Sequence, residues 1–462
     1  MTFRRALRPL LALAVFVAPG AASAQAFAVN ETGSCAVGRA YAVVGAPCNE
    51  PSAIFWNPAY AARLPGLQVQ AGVAFIDLAG EFQRDTVGTV YETTTPLLYV
   101  PHLFVNYTKP NSRQSFGLGV YVPYGLTMEW GADFPGRFQA QRASIGTIYV
   151  QPNIAFRIND AWAVGGGPII GYSTVELKRS IDLADQRASA QATFTQLGIT
   201  RGTEFGRVEL EGSAIEWGAQ VGFHGRLSPA FTVGGRFMLP MWFEYSGDAT
   251  FTQVPTGLVL GGTVTPPFSA GTPVDALVAG QFAAGAPLSK QKVHTKIVHP
   301  AQIQAGIGYS GFPNTTLALD YAWMGWKQLN RIVIDFQGNA PDATLIQDYN
   351  HSSAIRVSGE YAVPQIQGMR LRAGFSGVAT AAPDETVTPL LPEQDRNYVT
   401  FGVGLPTWRS WTLDAAYARV NTPGRRGRIV ERANVGQTAS QLNTGVFQLG
   451  ANVFSVSLKG SF

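Results

Sequence analysis

The chain has 462 residues, with 34 Lys and Arg against 30 Asp and Glu, and its net charge of +4 is too small and too scattered for nucleic-acid binding. Only 14% of residues are charged, where a soluble protein has about a quarter. Mean hydropathy is nonetheless only +0.06, and after the N-terminus no apolar run of about 18 residues is present, which excludes membrane-spanning helices. What remains is a large exported all-β protein or a transmembrane β-barrel, whose apolar residues are diluted by alternation.

The N-terminus has the layout of a secretory signal. Arg4, Arg5 and Arg8 give a positive start, Leu10 to Ala18 an apolar core, Pro19-Gly20 a break, and Ala22-Ser23-Ala24 a small-residue cleavage site. The apolar core is about half the length of a membrane span, so an anchor is disfavoured. A signal peptide is expected over residues 1–24, with Gln25 first in the mature chain and Ala24-Gln25-Ala26 as a second cutting site. Cys35 and Cys48 are the only cysteines. In an exported chain they are expected as a disulfide rather than a metal pair, which would lack ligands, and the small loop they close would contribute roughly 3 kcal/mol.

Asn49 to Leu64 places an apolar patch, Ala53-Ile54-Phe55-Trp56, ahead of Asn57-Pro58-Ala59 and an Ala-rich run. A compact Pro-punctuated segment ahead of so many strands is expected to plug a barrel, giving a hatch over 25–66 and a barrel over 67–462. From Leu67 on, stretches of about ten residues alternate apolar and polar. At the end of the chain Phe454, Val456, Leu458 and Phe462 alternate with Ser455, Ser457, Lys459 and Ser461. With a side-chain period of two, one face is apolar and the other polar. About fourteen such strands are predicted, starting near Leu67, Tyr99, Ser115, Ile145, Ala161, Ser213, Ala230, Val293, Thr315, Ser353, Gly368, Asn397, Ser410 and Ala451. An even count, with short connections on one side and long ones on the other, is the outer-membrane pattern.

Among the long segments, 185–199 and 274–286 are each compatible with a helix. The apolar, Gly- and Pro-rich stretch 255–287 either receives hydrophobic ligands or is covered by the other loop. Asp320, Arg356, Glu360, Arg370, Arg372, Asp414 and Lys459 lie opposite apolar faces and should point into the lumen. Their mixed signs imply cross-strand pairs rather than a selectivity ring. Nothing in the sequence points to catalysis. There is no G-x-S-x-G, H-E-x-x-H, P-loop or C-x-x-C motif, and the five histidines are scattered and expected at rims or loops. No cofactor and no metal are expected.

Ordered segments of the chain resemble the FadL-like family of outer-membrane transporters for long-chain fatty acids and other hydrophobic compounds. They are Asn30-Glu31, 38–42 and 52–59 with its N-P-A motif, then G-L-G-V-Y-V-P-Y-G-L at 117–126, T-K-I-V-H-P-A-Q-I-Q-A-G-I-G-Y at 295–309, D-Y-A-W-M-G-W at 320–326 and P-D-E-T-V-T-P-L-L-P-E-Q-D-R at 383–396. The resemblance implies a fourteen-stranded barrel in the outer membrane of a Gram-negative-type cell, closed by an N-terminal hatch. It implies passive uptake of hydrophobic small molecules through a loop groove, a lumen pocket and a side opening where the third strand kinks. Carried over by position, Phe27 and Val29 form the pocket, Phe55 and Trp56 add ligand contacts, and Asn57, Pro58 and Ala59 form a hatch motif packed near the kink. The kink falls on Tyr121, Pro123, Tyr124, Gly125 and Leu126. Pro123 donates no backbone hydrogen bond and Gly125 adds freedom, which fits either a lateral gap or an ordinary rim bulge. Lys178 and Arg179, at an extracellular strand end, are the candidate head-group contacts, with solvated loop charges as the alternative.

The expected partners are a hydrophobic ligand, outer-membrane lipid and the assembly machinery; no nucleic acid is expected, and a monomer is. Rival readings are a channel for aromatic hydrocarbons, a non-specific porin or structural barrel, and a lipid hydrolase. Tyr60, standing where the family often has Gly, and the cysteine pair together imply a stiffer hatch.

Overall fold

The computed structural model describes residues 26–189, 192–261, 268–408, 410–430 and 438–462; the expected signal peptide lies outside them. Among the described residues, fourteen wall strands form one closed antiparallel sheet. They are β1 (Gly66–Arg84), β2 (Leu98–Thr108), β3 (Gln114–Glu129), β4 (Arg142–Arg157), β5 (Trp162–Ile181), β6 (Gly206–Arg226), β7 (Phe231–Met238 and Met241–Gln253) and β8 (Gln291–His299 and Gln302–Tyr309). The wall continues through β9 (Thr315–Met324 and Arg331–Phe336), β10 (Ala343–Ile346 and Ser352–Ala362), β11 (Arg370–Val378), β12 (Arg396–Pro406), β13 (Trp411–Asn421) and β14 (Gly445–Ser461). The barrel closes where β14 pairs with β1, from Gln68↔Ser461 to Arg84↔Gly445. Phe454, Val456 and Leu458 are exposed while Ser455 and Ser457 are buried. The alternation therefore turns its apolar face to lipid and its polar face to the lumen, as a membrane barrel requires.

Several strands run longer than the sequence pattern indicated. β6 starts at Gly206 and β14 at Gly445, and both β9 and β10 continue inside the expected loop 330–351. At these outer ends the outward side chains face water as well, so the alternation that marks a strand in lipid fades while backbone pairing continues. The described residues of 185–199 are not helical, and Arg187 pairs with Thr193 in a β-bridge. In the second loop a helix spans only Val274–Val278, followed by a 3-10 turn at Ala279–Phe282. Phe194, Leu197 and Ile199 pack with Leu260, Val274 and Val278. The two apolar loops therefore cover each other, the second of the two alternatives.

The lumen is filled by the N-terminal segment. It contains α1 (Ser34–Gly38), α2 (Ala53–Trp56) and a 3-10 turn at Pro58–Arg63, almost all of it buried. Cys35 and Cys48 are joined by a disulfide, Cα to Cα 6.3 Å. The lumen charges hold this plug as much as they hold each other. Asp320 accepts the Val44 N–H at 2.6 Å and the Gly45 N–H at 3.2 Å, and Lys459 donates to the Asn49 carbonyl at 2.9 Å. Arg356 reaches the Tyr41 carbonyl at 3.4 Å, and Arg236 the Phe55 carbonyl at 2.6 Å. The pairing expected across strands is present beside them: Arg372 bridges Glu360 and Asp414, and Arg370 also meets Glu360.

At Gly45 the plug lies backbone to backbone on the wall, where a Cβ would collide with the Gly306 peptide. Neither partner is a flexible side chain, so nothing can yield. Gly45→Ala is expected to lift this side of the plug and convert a closed barrel into one with steady ion conductance in planar bilayers. Conductance no higher than that of the parent would show that the plug reseats.

Candidate functional site

The wall is interrupted beside Pro123. β2 and β3 pair from Thr108↔Ser115 only as far as Leu103↔Val120. Beyond that point β2 continues alone against β1, to Ile76↔Leu98. On its other side β3 slips register against β4 between Tyr121 and Tyr124. Proline cannot donate to a ladder, and the slip is the bulge that such a residue needs. A seam is therefore left between β2 and β3, with a strand edge whose backbone groups need partners.

The partner is the chain's own tail. The Val29 N–H donates to the Pro123 carbonyl at 2.9 Å, and the Gly125 N–H donates to the Phe27 carbonyl at 2.9 Å. Ala28 and Tyr124 form the bridge between these bonds. A single extended stretch thus takes the place on β3 that β2 vacates. Its start is clamped in turn. Glu393 accepts the Ala26 N–H together with those of Ala381 and Ala382, and Arg396 donates to the Ala26 carbonyl at 3.1 Å. Burial pushes the Glu393 carboxyl up to about 7 despite Arg396 and these N–H donors. Replacing Glu393 by Ala would leave three N–H groups without an acceptor, at about 1–3 kcal/mol for each one that stays buried. Glu393→Ala is expected to raise hydrogen exchange at Ala26–Val29 by orders of magnitude while the wall strands stay protected. Unchanged exchange there would mean that the clamp does not hold the tail.

Two cavities meet at the tail. One, about 120 Å³, is lined by Phe27, Leu126, Leu177, Tyr245, Ile297 and Leu391 among others. The other, about 110 Å³, lies against Ala28, Val29, Gly125 and Arg396, and the two share Leu126 and Leu391. Phe27 forms part of the base of the first. Its ring stands 4.6 Å from Trp326 and 6.0 Å from Tyr124, edge to face. Behind it the His299 ring lies tilted 4.3 Å from Tyr124, and the Tyr149 hydroxyl shares a hydrogen bond with His299 Nδ1 at 3.0 Å. The lining offers shape and apolar surface, with no nucleophile–base pair.

The residues singled out from sequence divide sharply. Phe27, Val29, Tyr121, Pro123, Tyr124, Gly125 and Leu126 come together at the seam. Phe55 and Trp56 do not line either cavity. Phe55 packs 4.9 Å from Tyr121 under the Arg236 guanidinium, and Trp56 Nε1 donates to the Thr32 carbonyl at 2.8 Å. Asn57, Pro58 and Ala59 lie away from the kink. Asn57 Nδ2 donates to the Val44 and Phe223 carbonyls, both at 3.0 Å, and Asn153 donates to the Pro58 carbonyl at 3.2 Å, which ties the motif to β4 and β6. Lys178 and Arg179 line neither cavity, although Arg179 shares the face of Leu177 just above the first. His102 and His299 are buried inside the barrel rather than placed at rims, while His224 is buried at the rim beside the short turn that follows β6. The loop between β11 and β12 was missed as a contributor. It folds inward to supply Leu390, Leu391 and Glu393, and its signal was the apolar Leu390-Leu391 pair framed by Pro389 and Pro392.

A family model described as outer membrane protein transport protein (OMPP1/FadL/TodX) matches residues 15–462. The chain is 21% identical over 494 residues to outer membrane protein P1 of Haemophilus influenzae, covering 98% of each. It is 22% identical over 403 residues to a long-chain fatty acid transport protein of Escherichia coli O6:H1, covering 85% of this chain and 86% of the relative. Among solved structures, a Pseudomonas aeruginosa FadL homologue superposes with a TM-score of 0.78 at 20% identity, over 95% of this chain and all of that one. The Pseudomonas putida toluene transporter TodX superposes with a TM-score of 0.67 at 15% identity, again over 95% of this chain.

Proposed function

The chain belongs to the OMPP1/FadL/TodX family of outer-membrane transport proteins, which are channels for hydrophobic compounds and not enzymes, and from that premise we propose a route through this one. A ligand enters from the loops, rests in the cavity above Phe27, and leaves sideways through the seam between β2 and β3 when the tail withdraws from β3. The observation that carries this reading is the substitution of the tail for β2 at Pro123 and Gly125. Leaving β3 breaks two backbone hydrogen bonds, each worth about 0.5–1.5 kcal/mol net, and draws on the Glu393 and Arg396 clamp at Ala26. The wall strands themselves need not part. The disulfide between Cys35 and Cys48 and the dense anchoring of the plug favour movement of the tail over ejection of the hatch. Uptake is passive, so the ligand's own concentration gradient supplies direction and affinities along the path set only the rate; no nucleotide-binding motif is present in the sequence.

The names of similar proteins bracket the cargo. They include long-chain fatty acid transport proteins and toluene transporters, and the apolar lining described above suits the hydrocarbon part of long-chain fatty acids or similar molecules. Uptake of a labelled hydrophobic tracer should be faster in cells displaying this chain than in matched cells without it. Equal rates would overturn the proposal, and a large steady conductance of the purified barrel would replace it with a porin.

A further inference from the structure

We propose that the periplasmic mouth of the barrel carries a docking surface for an acidic segment of a water-borne protein, built from Arg63, Lys109, Arg113, Arg157 and Arg226. The short turns after β2, β4 and β6 stand side by side at this end of the wall. They contribute Lys109, Arg113, Arg157 and Arg226, and the 3-10 turn of the plug adds Arg63. Asp160 is the one carboxylate in those turns. Among the described residues none of these cations forms an ion pair. The arginines are held instead on main-chain carbonyls, which fix a guanidinium and leave its charge in place. Arg63 donates to the Asp160 and Ala161 carbonyls at 3.2 and 2.5 Å, and Arg226 to that of Asp160 at 3.3 Å. Arg113 donates to the Ile158 carbonyl at 3.3 Å and Arg157 to the Ser112 carbonyl at 2.6 Å.

This arrangement works against the fold. The Arg157 N–H donates to the Arg113 carbonyl at 2.8 Å, so two arginines stand opposite each other, and like charges directly opposite destabilise a sheet. Both continue the inward face of their strands: Ser115 and Ala155, two residues further in, are buried, while Phe116 and Phe156 are exposed to lipid. Arg226 likewise lies two residues beyond the buried His224. Burial lowers the Arg63 guanidinium from its ordinary value, and the like charges of Arg226 and Arg157 lower it further. A concentration of positive charge that costs stability, and that lies open at Lys109, Arg113 and Arg226, is complementary to carboxylates, which a guanidinium grips in bidentate pairs. Its place on the inward face directs it to the aqueous mouth and away from the lipid headgroups around the wall. The turn that holds Lys109 and Arg113 joins the two strands that part beyond Leu103 and Val120. Arg63 belongs to the plug, so a partner seated here touches the foot of the seam, the wall and the plug together.

The test places the intact protein in nanodiscs of phosphatidylcholine, which leave both mouths open and add no net charge, and reads the fluorescence anisotropy of rhodamine-labelled octaglutamate at low ionic strength. Octaglutamate is expected to bind saturably, octaglutamine is not, and added salt should weaken the binding. Arg113→Gln with Arg226→Gln, both at exposed positions, should weaken it about five-fold or more. Lys290→Gln with Lys327→Gln removes the same charge from exposed positions at the opposite end of the barrel and should leave it unchanged. Heat-modifiable migration on gels reports that both variants are assembled. No saturable octaglutamate binding, an arginine variant that binds like the parent, or equal losses in the two variants would overturn the proposal and leave the transport reading standing. Phosphatidylglycerol retained by the parent and lost from the arginine variant in native mass spectrometry, with no peptide bound, would overturn it in favour of lipid headgroups.

Discussion

Cysteines introduced at Ala28 and Tyr124 should, once oxidised, abolish uptake while the barrel still assembles. The geometry favours this bond. The hydrogen bonds at Val29–Pro123 and Phe27–Gly125 flank the pair, so Ala28 and Tyr124 oppose each other at a non-hydrogen-bonded position of an antiparallel ladder. Such positions hold Cα atoms about 4.5 Å apart, within the range of about 4.4–6.8 Å that a disulfide spans. The bond would fix the tail on the edge of β3 and hold the seam shut. Tyr124→Cys by itself removes a hydroxyl that donates to the Pro300 carbonyl and accepts from Gln302, so the single-cysteine variants are the controls. Heat-modifiable migration on gels reports assembly. Full uptake in the oxidised double variant would show that ligand leaves by another path.

The second large effect is expected at Arg372. Its guanidinium bridges Glu360 and Asp414 in the lumen, with 5% of its side chain exposed against 11% and 3% for theirs. Arg372→Met leaves both carboxylates facing a buried apolar group. Breaking a buried pair from one side costs about 3–5 kcal/mol, because a charge remains without compensation. The unfolding midpoint in denaturant should fall accordingly. Arg372→Met with Asp414→Leu should regain part of the loss, since Arg370 still meets Glu360 at 2.7 Å. If the double variant is less stable than the single one, the penalty comes from packing and not from stranded charge.

The fold was legible because a membrane barrel repeats one simple constraint. Each lipid-facing side chain must be apolar while its neighbours face the lumen, so the period of two survives in every strand that crosses. Fourteen starts read from that period all fall within or next to the observed strands, from Leu67 in β1 to Ala451 in β14. The constraint lapses at the outer ends of strands, and the loop segments 330–351 and 421–450 were therefore read as longer than they are. Pro123 and Gly125 marked the interruption for a local reason, a missing N–H and a flexible backbone. Lys178 and Arg179 illustrate the opposite case: adjacent residues on a strand face opposite ways, and charge alone does not tell which of them meets a cavity.

By itself the sequence determined the barrel, its strand number, the plug ahead of it and the place where the third strand fails. Side-chain identity carries each of these, through alternation, proline and the apolar patch at Ala53–Trp56. Only the tertiary structure decided what fills the failure. The tail joins β3 through backbone groups that every residue but proline possesses, so Phe27-Ala28-Val29 carries no mark of its partner. The make-up of the cavity was likewise undecided, because its lining comes from strands and loops far apart in the chain.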